Sequence, residues 1–275
     1  MTDLSRAADG GAVVLCPTME MTEQQLRDRV DELAPFHHVV ELPHGISTFV
    51  PDKADRGSNI KRVDSIMRHG WPQLLDAFGG SLKGLRVLDM ACNCGGFAVA
   101  AKQAGADYVL GVDIADHYLE QANFLRDALE LENLEFRKLD VSELTADLTG
   151  TFDVVLCFGI LYHLQDPIRT MKAAANLATQ AMLLDTNLMR PPYVSRFLRN
   201  RSLWKMDVVK ESQPKAETTN LRRQGTTCKF APTERAVMDM LDFLGFDRVE
   251  FLPPTEKELE GRYYKRARGT FLARR

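Results

Sequence analysis

Residues 87–96, VLDMACNCGG, and the run VLGVDI at 109–114 decide the fold. The first stretch opens as an apolar strand through Leu85, Val87 and Leu88 and closes on an acid, Asp89. A tight turn leads into FAVAAKQAG (97–105), where Phe97, Ala100, Ala101 and Ala104 share one helical face and Gly105 marks a stop. A second strand runs from Tyr108 to Val112 and ends at Asp113. Open parallel sheets bind ligands beyond the carboxyl ends of their strands, so both carboxylates point at one crevice.

Two kinds of cofactor suit such a crevice. A dinucleotide wants G-x-G-x-x-G, because its pyrophosphate must approach bare backbone. The three positions are Ala91, Asn93 and Gly96, and a side chain at Asn93 would crowd a pyrophosphate. S-adenosylmethionine carries no phosphate. It wants an acid before the turn, a flexible turn, and a second acid for the ribose hydroxyls. Asp89 and Asp113 meet those needs, and Asn93 enters the left-handed region more readily than most residues. The alternative is an α/β turn that holds no ligand.

The pattern continues downstream. ENLEFRKLDV (132–141) reads as a third strand ending at Asp140, at the level expected for an adenine ring. Asp153 to Phe158 forms a fourth, running into a loop at Gly159. A helix from about Pro167 to Ala178 and a fifth strand, AMLLDT (181–186), follow. The alternation implies an α/β sheet that is mostly parallel, with helices on both faces. PTERAVMDMLDFLGF (232–246) reads as a helix with Thr233 as N-cap and Gly245 as stop. RVEFLPP (248–254) and GTFLAR (269–274) are a sixth and seventh strand.

With these segments in hand, the chain resembles the class I S-adenosylmethionine-dependent methyltransferases. Within them it is similar to the branch of the tRNA wobble-uridine carboxymethyltransferase. FHHVVELPHGIST (36–48), SNIK (58–61), VLDMACNCGGF (87–97), GILYHLQDP (159–167) and RGTFLARR (268–275) carry the likeness. Ala91 and Asn93 depart from the glycines usual there. The resemblance implies a Rossmann-like, seven-stranded sheet with an antiparallel C-terminal edge strand. It also implies S-adenosylmethionine as cofactor, held by Asp89, Ala91, Asn93, Gly95 and Asp113, with Ile114, Asp140, Val141 and Phe158 around it. In that branch a Lys, a Tyr and an Arg surround the carboxylate of carboxy-S-adenosylmethionine. Lys61, Tyr162 and Arg268 fall in matching contexts, but the plain donor is expected.

The whole chain sets bounds. At 275 residues with 45% apolar content it holds one domain with extensions, or at most two small units. It has no run of eighteen apolar residues and no basic-then-apolar start, so a cytoplasmic protein with no membrane span is expected. The five cysteines, Cys16, Cys92, Cys94, Cys157 and Cys228, are odd in number, which argues against a disulfide framework. The C-x-C of Cys92 and Cys94 lacks the second ligand pair that zinc needs, so no metal is expected.

A net charge of −3 hides an asymmetry. Residues 187–230 hold ten Lys or Arg against Asp207, Glu211 and Glu217, and Arg262 to Arg275 adds six more bases. This reads either as a solvated insertion or as a positive rim for an anionic acceptor. Residues 1–80 are expected to form an N-terminal helical cap, with helices over 21–35 and about 58–78. Residues 81–275 are expected to form the methyltransferase domain, with a lid-like insertion at about 187–231.

Methyl transfer is an in-line displacement, so the protein chiefly aligns nucleophile and methyl group. A base is needed only for an acceptor that is not already ionised. His163 and Tyr162, just past the fourth strand, and Asp185, ending the fifth, are the candidate catalytic residues. His37, His38 and His44 lie in the cap and suit capping or substrate contacts. The expected function is methyl transfer to a small-molecule nucleophile. A tRNA (carboxy)methyltransferase and a non-catalytic cofactor-binding scaffold are the rivals, and a homo-oligomer is left open.

Overall fold

The structure, a computed structural model, describes residues 21–50, 58–189, 200–210, 226–253 and 267–275. In chain order the helices are α1 (Glu23–Leu33), α2 (Ser58–Ala77), α3 (Gly96–Gln103), α4 (Asp116–Ala128), α5 (Ala146–Thr149), α6 (Pro167–Leu177) and α7 (Glu234–Phe243). The strands are β1 (Glu41–Leu42), β2 (Ile46–Ser47), β3 (Arg86–Met90), β4 (Tyr108–Asp113), β5 (Leu134–Lys138), β6 (Phe152–Phe158), β7 (Ala178–Asn187), β8 (Trp204–Lys210), β9 (Thr226–Pro232), β10 (Arg248–Leu252) and β11 (Arg268–Arg274).

Seven strands form one sheet in the order β10-β11-β7-β6-β3-β4-β5. Strands β3 to β7 pair in parallel, and β11 runs antiparallel to both β7 and β10. As expected, the last two strands form the antiparallel edge of the sheet. Strand β11 lies inside β10, which takes the edge position. The order reverses between β3 and β6, and a crevice opens at such a switch point, at the carboxyl ends of the strands.

The core lies on both faces of the sheet. Val87, Val109, Val154 and Leu183 point to one side, under the N-terminal segment and α2 to α4. Leu88, Leu110, Val155 and Leu184 point to the other, under α6 and α7. Strands buried on both faces read as near-continuous apolar runs, which is why they were legible. Leu26, Val30, Leu42 and Leu74 of the N-terminal segment share the first cluster with Val87 and Leu183. One continuous core thus crosses residue 80.

Two features lay outside the sequence reading. Helix α4 starts after Ala115, which offers no side-chain cap. The 187–231 stretch contains an antiparallel hairpin, β8–β9, with Trp204, Met206 and Val208 on one face against Phe230 and Cys228. Its segments 190–199 and 211–225 lie outside the described residues, as do Cys16 and the bases Arg262, Lys265 and Arg266.

Candidate functional site

The crevice is built on β3 and β4. Asp89, 2% exposed, sits near the end of β3, and its Oδ2 has no hydrogen-bond partner among the described residues. Burial raises its carboxyl group to about 8, and the Asp113 carboxylate pushes it the same way. The Ala98 amide, in the first turn of α3, opposes this in part. Asp113 ends β4, and both its oxygens hold backbone. Oδ2 accepts the Asn93 N–H at 2.9 Å and Oδ1 accepts the Ala115 N–H at 3.0 Å. Each carboxylate oxygen has room for a second donor.

The turn between β3 and α3 is left-handed at three places: Ala91 (φ 55°), Asn93 (φ 52°) and Gly95 (φ 79°). Gly95 must stay bare. A Cβ there would lie 2.7 Å from Phe136 of β5 and 2.9 Å from Ala122 of α4. The buried thiols in the turn are kept protonated. Burial pushes Cys94 up to about 12 and Cys92 well above its ordinary value. Phe97, in the first turn of α3, packs at 4.4 Å between ring centroids against Phe158 at the end of β6. Ile114 follows Asp113 and is half-exposed. Asp140 caps the short turn Val141–Glu143, its Oδ1 accepting the Ser142 N–H at 2.8 Å, with Val141 buried beside it.

The second half of the crevice is different. Asp185 of β7 is fully buried and pairs with Arg268 of β11, which is 1% exposed. Thr270 Oγ1 donates to Asp185 Oδ2 at 2.9 Å, and Arg268 Nη1 donates to Asn187 Oδ1 at 3.2 Å. The Arg268 guanidinium lies 5.7 Å from the Tyr162 ring centroid. Asp185, a candidate base by sequence, is thus held in a buried ion pair, and the charge of Arg268 is met inside the sheet. The side chain of Lys61 lies outside the described residues; its backbone belongs to α2.

Tyr162 and His163 lie on the short helical turn Leu161–His163 after β6. Tyr162 is buried, His163 is exposed, and their rings are 4.3 Å apart. Among the described residues, no group of three or more His, Cys, Asp and Glu converges as a metal site would require. No helix of the described residues is long and apolar enough to cross a membrane. Sequence reasoning placed His37 and His38 in the cap without seeing that both reach the cofactor turn. Only their place inside the FHHVV run at 36–40 pointed that way.

The chain is similar to known proteins. The chain is 33% identical over 125 residues to the ubiquinone biosynthesis O-methyltransferase of Acinetobacter baylyi, covering 45% of this chain and 51% of that protein. It is 38% identical over 125 residues to the one from Bordetella avium, covering 45% and 50%. The chain thus spans about half the length of the curated relatives it matches. Among solved structures, the N-terminal domain of EvdMO1, determined with SAH and D-fucose, superimposes with a TM-score of 0.63 at 22% identity, over 92% of this chain and 97% of that one. The 1,6-didemethyltoxoflavin-N1-methyltransferase of Burkholderia thailandensis does so with a TM-score of 0.51 at 15% identity, over 77% and 79%. These two likenesses establish the fold. A model described as a methyltransferase domain matches residues 81–229, more than half of the sequence, and the chain belongs to that family.

Proposed function

We propose that the chain is an S-adenosylmethionine-dependent methyltransferase acting on a small-molecule nucleophile. The observation that carries the reading is Asp89 Oδ2, a buried carboxylate oxygen at the strand end without a partner among the described residues. A buried polar atom without a partner is costly, so its persistence in a crevice calls for a ligand. An ammonium group answers it, and S-adenosylmethionine carries one on its methionyl end. Asp113 suits the ribose hydroxyls, since its backbone contacts fix the carboxylate and leave acceptor capacity. When bound, the cofactor supplies an electrophilic methyl group. Phe97 and Phe158 exclude water beside it, and the left-handed turn brings backbone close to it.

His163 is the residue proposed to take a proton from the acceptor, because it is exposed at the rim on the turn after β6. Tyr162, pinned under Arg268, shapes the acceptor side. A small-molecule acceptor agrees with the ubiquinone-pathway relatives. The paired state of Arg268 argues against a carboxylated donor, and with it against the tRNA reading.

The test is direct. Calorimetric titration with S-adenosylhomocysteine should give saturable one-site binding. Incubation with methyl-labelled S-adenosylmethionine and a small-molecule extract should transfer label to a low-mass product. Absence of binding would overturn the cofactor assignment. Binding with label found only in RNA would overturn the acceptor class.

A further inference from the structure

The cofactor turn is held from outside its own strand–helix unit, by two adjacent histidines. Gly96 opens α3, and its N–H is one of the donors that a helix start leaves without an intrahelical partner. His38 Nδ1 accepts that N–H at 2.9 Å. The His38 ring is 5% exposed and stands edge-on to Phe97, 5.2 Å between centroids. A Cβ on Gly96 would lie 2.5 Å from His38 Nδ1, so the ring fills the space a side chain at 96 would take. His37 meets the other end of the turn. Its Nδ1 is 3.1 Å from Asn93 Oδ1, which also accepts the Cys94 N–H at 2.8 Å. Asn93 in turn donates its own N–H to Asp113 Oδ2.

The histidines are themselves fixed. Thr48 Oγ1 donates to the His38 carbonyl at 2.8 Å and accepts the Val40 N–H at 2.9 Å. Gln121 Nε2 of α4 donates to the Leu33 and Pro35 carbonyls at 2.7 and 3.0 Å. A run of contacts therefore leads from the N-terminal segment, through His38 and His37, to the turn and to Asp113.

We propose that His38, with His37 beside it, is a positioning residue for the cofactor. Seating the N-terminal segment sets the 91–96 turn, and through Asn93 the Asp113 carboxylate, in the geometry that binds the adenosyl group. The inference rests on the S-adenosylmethionine reading above. A purely packing role for His38 depends on its volume. A positioning role depends on an acceptor atom at the place of Nδ1, which the amide oxygen of Asn can supply and Leu cannot.

The experiment measures S-adenosylhomocysteine affinity by calorimetry for wild type, His38→Leu and His38→Asn. Gly96 amide hydrogen exchange is followed in the ligand-free proteins. His38→Leu should weaken binding tenfold or more and speed Gly96 exchange, and His38→Asn should recover most of both. Gly96→Ala should weaken binding similarly by displacing the ring, with little further loss when added to His38→Leu. If wild type binds but folded His38→Leu binds within twofold of it, the inference is wrong. Equal Gly96 exchange in all three proteins, or an Asn variant no better than Leu, would overturn it as well. If wild type itself binds no S-adenosylhomocysteine, the cofactor reading fails first and the inference falls with it.

Discussion

Asp89 and Asp185 lie in one sheet, near the carboxyl ends of β3 and β7, and both are buried, although the register sets Asp89 level with Leu183 and not with Asp185. Their surroundings are opposite. Asp185 has Arg268 and Thr270, so its charge is balanced within the fold. Asp89 has a like-charged neighbour, Asp113, and an oxygen that nothing among the described residues meets. One half of the crevice is electrostatically complete and the other is left open. A strand-end acid therefore has charge left for a ligand only where the fold does not meet it, and position alone does not separate the two cases.

Removing the cation from the complete half should have the largest effect. Arg268→Met leaves Asp185 buried and unpaired and should destabilise the fold by about 3–5 kcal/mol. The double change Arg268→Met/Asp185→Leu should recover most of that loss, since a buried pair replaced by apolar groups is often nearly neutral. Urea unfolding of the three proteins checks this. Equal stability of wild type and Arg268→Met would remove the contrast.

The open half should respond with the opposite sign. The folded Asp89 carboxyl is raised from 3.8 to about 8, so the folded state binds its proton more tightly than the unfolded chain. Its contribution to stability is complete below about pH 4 and is lost as the pH rises towards 8. Asp89→Asn should flatten that slope and leave the ligand-free variant more stable above pH 8, by on the order of a few kcal/mol. The same variant should bind S-adenosylhomocysteine more weakly. Parallel pH profiles of melting temperature for wild type and variant would show that Asp89 is not an unmet charge.

Asp113→Ala tests the other acid of the open half. It removes a carboxylate that fixes Asn93 and Ala115 and is proposed to meet the ribose. Hydrogen bonds to a charged group are worth about 1.5–3 kcal/mol, so affinity for S-adenosylhomocysteine should fall at least tenfold in a folded protein. Unchanged affinity by calorimetry would dismiss the ribose role.

Legibility followed the same divide. The parallel strands β3, β4, β6 and β7 announced themselves as apolar runs, while β5, LEFRK at the sheet edge, did not, and Asp89 and Asp113 followed from where the runs of β3 and β4 ended. Helix α7 was legible from Thr233, whose hydroxyl accepts the Ala236 N–H at 3.2 Å, and from Gly245 at φ 90°. The Asp185–Arg268 pair was not legible, because it depends on the antiparallel register that sets Thr270 opposite Asp185 and Arg268 opposite Asn187. No local pattern carries that register. The β8–β9 hairpin was hidden for a related reason. Its alternation of Trp204, Met206 and Val208 with Lys205 and Asp207 is confined to one short strand inside a charge-rich stretch. His38 was visible as a residue, but its acceptor role exists only once the chain folds back onto α3.

The smallest expected effect lies in the turn that serves the open half. Ala91 holds φ 55° in a chain of L-residues, a conformation that costs roughly 1–2 kcal/mol for a side chain with a Cβ. Glycine removes that strain but adds freedom to the unfolded chain, worth about 0.4–1 kcal/mol in the opposite direction. Ala91→Gly should therefore stabilise the ligand-free protein by only about 0.5–1 kcal/mol. Asn93 at φ 52° is a different case, although it is equally left-handed. Its side chain accepts the Cys94 N–H and meets His37, and Asn93→Gly would discard both contacts while relieving little, since Asn tolerates this region. The pair should split, with Ala91→Gly raising the midpoint of chemical denaturation and Asn93→Gly lowering it. If Asn93→Gly were the stabilising change, the contact between His37 and the turn would contribute nothing, and the open half would be held by its own backbone alone.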